Sequence, residues 1–142
     1  MNALEISRTG LDVEWRRLEV IAQNLANVGS TVDPAGQPVR ALRLISGPAQ
    51  SFSDVMANRS AVPSLAGAAV YSIEPQNIPP RRVYEPAHPQ ADSDGYVTYP
   101  GFDHAGEMAL MVKTSRAYEA NIVAFNTARQ MYGKALEIGK RS

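Results

Sequence analysis

The sequence predicts a mainly α chain with a small β-rich module: long N- and C-terminal helices pairing as a coiled coil, with a proline-rich middle holding short strands. Three observations carry that prediction. Apolar residues recur at alternating steps of three and four near both ends. All ten prolines fall between Pro34 and Pro100, so neither terminal segment contains one. Between the prolines, residues suited to strands collect in short runs bounded by turn signals. The chain divides accordingly into an N-terminal heptad helix at 1–29, a proline-punctuated β-rich and loop module at 30–102, and a C-terminal heptad helix at 103–142.

In the first helix, Leu4, Leu11, Leu18 and Leu25 are spaced by sevens, and Trp15, Ile21, Ala22 and Val28 widen the stripe. Asn2 followed by Glu5 predicts a capping box, and Gly29 suits the position just beyond the last turn. Asp12 and Arg16 are spaced to pair across one turn, which is worth only a few tenths of a kcal/mol. Gly10 is the weak point of this helix, at a cost of about 1 kcal/mol relative to alanine.

The middle carries β-type runs at 39–45, 68–74, 82–84 and 96–99, with turn signals at 33–36 and 92–95. Residues 50–67 have weak periodicity and read as loop, with one helical turn near 54–57. No repeat of 20 to 50 residues is present.

The C-terminal helix, over 103–139, is the longest element and would span roughly 50 Å. One row runs Met108, Met111, Ser115, Tyr118, Ile122, Phe125, Arg129, Tyr132 and Leu136. Beside it lies a row of mostly small residues, Leu110, Thr114, Ala117, Asn121, Ala124, Ala128, Met131, Ala135 and Ile138, which lets another backbone approach closely. Lys113, Arg116, Glu119, Lys134, Glu137 and Lys140 form the solvated side. Asp103 can cap the start, Glu107 suits the first turn, and Gly139 with Lys140 and Arg141 suits the end. The two rows are wider than the stripe of about 100° that an ordinary surface helix turns to its core. Pairing the two terminal helices buries one face of each. Two readings of the surplus stay open: it meets neighbouring molecules, or the middle module folds back over it.

Composition removes several function classes. Fourteen basic and fourteen acidic side chains cancel, so no global field draws the chain to nucleic acid or to an anionic membrane. The absence of cysteine excludes disulfides, zinc-thiolate sites and cysteine catalysis. The first ten residues contain Glu5 and lack a secretory apolar core, and no window reaches the roughly 20 apolar residues of a membrane span, so direct membrane insertion is not expected.

Particular words then add to periodicity. The heptapeptide Ile21-Ala22-Gln23-Asn24-Leu25-Ala26-Asn27 resembles the amino-terminal signature of the bacterial flagellar axial proteins of rod and hook. Glu107-Met108, Ser115-Arg116-Ala117-Tyr118-Glu119-Ala120-Asn121 and Ala135-Leu136-Glu137-Ile138-Gly139 resemble the carboxy-terminal helix of that family, and the segment from Val83 through Pro100 is similar to the middle of its proximal-rod members. The chain departs from the family pattern at Val28-Gly29-Ser30-Thr31 and around 36–40. The resemblance implies a structural subunit of the basal-body rod that carries no catalysis and no cofactor. It implies export by the flagellar type III apparatus without a cleaved signal, and assembly in the periplasm with copies of itself and other rod proteins. A distal-rod or hook-junction component is the alternative within the family.

Under that resemblance the apolar rows become subunit seams. The interface residues are then Leu11, Leu18, Ile21, Asn24 and Leu25 on the first helix, with Tyr118, Asn121, Ile122, Phe125, Tyr132 and Leu136 on the second. The amides of Asn24 and Asn121 would fix register there, whereas Asn27, so near a helix end, is better read as a solvated helix flank or a cap. The free chain is expected to leave its terminal helices unordered until assembly, because isolated helices are marginal in water.

Other chemistry is weaker. Asp92-Ser93-Asp94-Gly95 superficially begins a calcium loop, but the position that should hold a bidentate glutamate is Asp103, and a turn bonding its own backbone explains the same residues. A small metal-binding or hydrolytic protein using His88, Asp92 and His104 is the reading from another class. Ser7, Ser46, Ser53 and Ser115 lack a nucleophile context, no glycine-rich phosphate loop exists, and Arg81, Arg82 and Tyr84 are too few for a nucleic-acid surface. No metal and no small-molecule substrate is expected.

Overall fold

The computed structural model describes residues 2–32, 37–49, 56 and 67–140. Helix α1, Ala3–Ala26, opens with the capping box that its sequence predicts. The Glu5 N–H donates to Asn2 Oδ1 and the Asn2 N–H donates to Glu5 Oε2, both at 2.9 Å. The helix stops on Asn27, whose φ of −95° closes it, so Gly29 is not the terminator that its position suggested. Asp12 and Arg16 do not meet. Asp12 turns back to Arg8 at 3.9 Å and Arg16 forward to Glu19 at 2.7 Å, since each has a competing partner within one turn.

Strand β1, Leu42–Pro48, pairs antiparallel with β2, Ala68–Pro75, and the register shifts between Ile45 and Ser46. The pairing begins later than the run at 39–45 implied. Strands β3, Arg81–Tyr84, and β4, Tyr96–Tyr99, form a second antiparallel pair that sets Val83 opposite Val97, and Val97 is buried. Helix α2, His104–Lys140, starts where Asp103 Oδ1 accepts the Gly106 N–H at 3.0 Å. Gly139 lies inside its final turn, so the helix outruns the glycine expected to end it. The turn expected at 33–36 and nearly all of 50–67, including the helical turn near 54–57, lie outside the described residues.

Helix α1 is wedged between the β1–β2 sheet and α2. Its row Thr9, Val13, Arg17, Val20 and Asn24 faces the sheet. The Ala68 N–H donates to Thr9 Oγ1 at 3.1 Å, Arg17 Nη2 donates to Ser46 Oγ at 2.7 Å, and Val13 and Val20 pack with Leu44 over Leu42, Ala68 and Ile73. On its other side α1 meets α2 antiparallel: Gly10 contacts Asn121, the Trp15 and Tyr118 rings stand 6.0 Å apart, and Asn24 reaches Glu107. Continuing that register sets Ala3 beside Ala128. Residues 129–140 therefore project past the start of α1 by about 18 Å.

Candidate assembly surface

The core is small and unevenly shared. Among the described residues the buried hydrophobic side chains are Val13, Val20, Ile21, Ala41, Leu44 and Val97, and none belongs to α2. The two residues that α2 buries are polar, Glu107 and Thr114. The longest helix thus leaves its large apolar side chains half-covered or bare, which an isolated globule would not favour.

A polar joint binds α2 to the rest. Asn24 Nδ2 donates to Glu107 Oε2 at 3.1 Å and to the Leu42 carbonyl at 2.8 Å, while Asn24 Oδ1 accepts the Leu42 N–H at 2.8 Å. The other Glu107 oxygen accepts from Arg43 Nη2 at 3.1 Å, and Arg43 also donates to Gln76. Every polar atom buried at this joint has a partner. Glu107 stands in the first turn of α2, as its sequence position implied, and is also the anchor where both helices and β1 converge. Sequence alone held no signal for this, because Glu107 lies 83 residues from Asn24.

The eleven candidate seam residues divide into three groups. Ile21 and Asn24, at 1% and 2% exposure, are covered within the chain, and the Asn24 amide spends its hydrogen bonds there. Leu11, Leu18, Leu25, Tyr118, Asn121 and Phe125 are half-buried, with Tyr118 against Trp15 and Asn121 against Gly10 across the helix pair. Ile122, Tyr132 and Leu136 are exposed. The projecting end of α2 shows Tyr132 at 60% and Leu136 at 53%, and beside them Met131 at 66% and Ile138 at 71%, which the seam assignment had left out. Those two stand in the second, small-residue row. Trp15 is a further missed exposed group, its ring leaning on Tyr118.

The β3–β4 hairpin accounts for the residues that suggested metal chemistry. Asp92 Oδ1 accepts the Tyr96 N–H at 2.9 Å and the Asp94 N–H at 3.0 Å, and its other oxygen pairs with Arg82. The Tyr96 N–H, more than the Arg82 guanidinium or the Asp94 N–H, holds this carboxyl below the usual carboxylate range. The Tyr99 hydroxyl donates to Glu85 at 2.9 Å, which raises its pKa. His88 lies edge-on to Tyr99, with its Nδ1 accepting the Gln90 N–H at 3.1 Å, and His104 is exposed at the first position of α2. Among the described residues no cluster of three His, Asp or Glu side chains is placed to hold a metal, and no helix is long and apolar enough to cross a membrane.

Residues 93–138 match the family described as flagellar basal body rod FlgEFG protein C-terminal. Over nearly its whole length the chain is 37% identical to the flagellar basal-body rod protein FlgC of Salmonella typhimurium, covering 99% of this chain and 98% of that one. It is 34% identical to the Escherichia coli protein of the same name, with the same coverage. The Bacillus subtilis protein of that name is 33% identical over 98% of this chain and 97% of its own.

Proposed function

Since the chain belongs to the family of flagellar basal-body rod proteins, we propose that it is a structural subunit of the proximal part of the rod, built into the shaft that carries torque across the periplasm. Its role is mechanical, with no catalysis and no cofactor. Its partners are other copies of itself and other rod proteins, and the flagellar type III apparatus exports it without cleaving a signal.

One observation carries this reading: α2 buries no apolar residue of its own among those described, yet it projects four large apolar side chains past the start of α1. Water is a poor environment for them, and burying a side chain of that size is worth about 1.5–3 kcal/mol. Many such ends interlocked at the packing density of a protein interior resist twisting, because dense interiors are nearly incompressible.

The test is Tyr132→Asp combined with Leu136→Asp. Both residues are exposed, so helix content and thermal unfolding of the isolated chain should hardly change. Cells carrying the variant should lose motility and yield no basal bodies containing it. Normal rods built from this variant would remove the seam role of the projecting end.

A further inference from the structure

The two helices are periodic in the same way. Ala3, Gly10, Arg17 and Asn24 are spaced by sevens, as are Ala128, Asn121, Thr114 and Glu107. Asn121 stands against Gly10 and Glu107 against Asn24, and continuing that register sets Thr114 at the level of Arg17 and Ala128 at the level of Ala3. Sliding α2 by one heptad would put Thr114 beside Asn24, Asn121 beside Arg17, Ala128 beside Gly10 and Ala135 beside Ala3. Three of the four layers would take an α2 residue no larger than the one it replaces. Only the Arg17 layer would take a larger one, Asn121 for Thr114, and the Arg17 guanidinium is already turned to Ser46 of the sheet. Apolar burial is non-directional, so the small-residue row tolerates both registers. Hydrogen bonding does not. The slide would carry Glu107 away from Asn24 and Arg43 by about 10 Å, stripping a buried carboxylate of both partners.

We infer that Asn24 and Glu107, completed by Arg43, are a register lock that decides where α2 stops relative to α1. The lock sets the length of the free end. In the observed register residues 129–140 project, whereas the slid register would leave only 136–140 and lay Met131 and Tyr132 alongside α1. A polar residue at one heptad position is an established means of selecting register among otherwise equivalent apolar pairings. The consequence for assembly rests on the seam role proposed for the projecting end. The register itself does not.

The chain has no cysteine, so Arg8→Cys and Lys113→Cys can carry two spin labels at exposed sites. Arg8 lies across from Val123, and the slide would bring it to Gln130, lengthening the axial separation from residue 113 by about 10 Å. Pulsed dipolar spectroscopy on the labelled full chain should give one distance. Adding Asn24→Leu with Glu107→Leu should introduce a second, longer population. Adding instead Glu107→Leu with Thr114→Glu, while keeping Asn24, moves the carboxylate one heptad along and should shift the main distance to the longer value. If the leucine pair fails to fold, the relocated carboxylate decides alone. An unchanged single distance in both variants overturns the lock, and so does loss of helical folding in both, because a device that only selects register leaves helix pairing intact. Distances that shift as expected in a chain whose free end proves dispensable for rods would keep the lock and discard the seam.

Discussion

Gly10 of α1 sits against the side-chain amide of Asn121 on α2, so closely that a Cβ at position 10 would stand 3.1 Å from Oδ1 and 3.2 Å from Cγ. The glycine that looks like a flaw in an isolated helix is a point of close approach between two. Gly10→Ala should therefore change stability by less than about 1 kcal/mol, as the propensity gain offsets a contact that the half-exposed amide can relieve. Gly10→Leu should cost about 1–3 kcal/mol by prising the helices apart. Urea unfolding of the two variants distinguishes these outcomes.

Asn24→Ala removes the acceptor for the Leu42 N–H and a donor to Glu107 in one change. The stranded groups are largely buried, and the expected loss is about 1–3 kcal/mol in the same denaturation experiment. An effect of a few tenths would mean that water replaces the amide.

Acid should loosen the β3–β4 hairpin. The folded-state pKa of Asp92 is depressed, so its contribution is fully present above the unfolded value of about 3.9 and is lost as pH falls below that through the folded pKa. The amide signals of Tyr96 and Asp94, which donate to this carboxylate, should move together in a pH titration with a midpoint below 3.9. A midpoint at or above the ordinary value would contradict the geometry.

Gly95 has a φ of +79°, and a Cβ there would press on the Tyr84 ring and on Pro86. Gly95→Ala should destabilise the hairpin by about 1–2 kcal/mol from backbone strain alone. Circular dichroism in the aromatic region should report it, since the Tyr84 and Tyr96 rings meet edge-to-face with centres 5.2 Å apart.

Amide exchange on the free chain should form a gradient along α2. Residues opposite α1 should be protected, and those from 129 to 140, where every side chain is exposed, should exchange quickly. Fast exchange throughout α1 as well would restore the expectation that both terminal helices wait for assembly to order. The structure argues against that for α1, because Val13, Val20 and Ile21 are already covered.

Much of this molecule was legible because the signals are local. The capping box at Asn2 and Glu5 and the cap at Asp103 rest on residues within one turn of each other. The turn at Asp92 satisfies its own backbone, and the strands at 96–99 and 68–74 fell close to their expected bounds. Local competition also explains the error at Asp12 and Arg16, since several partners lay within reach and sequence cannot rank them.

The candidate seam was legible only as a set of apolar positions. Periodicity states which side of a helix avoids water but not what covers it, so Ile21 and Tyr132 read alike although one is buried and the other bare. Asn24 read as a polar residue on a seam. Its strand partner is the backbone of Leu42, and no side-chain pattern reveals a backbone partner.

The sequence by itself determined two long helices, a proline-confined β module between them and an excess of apolar surface, because helix periodicity, caps and proline placement act over a few residues. Only the tertiary structure decided how that surface is divided. Burial and hydrogen bonding between distant segments are collective: the sheet claims one face of α1, Glu107 pins α2 in one register, and the end of α2 is left bare because α1 has already ended beside it.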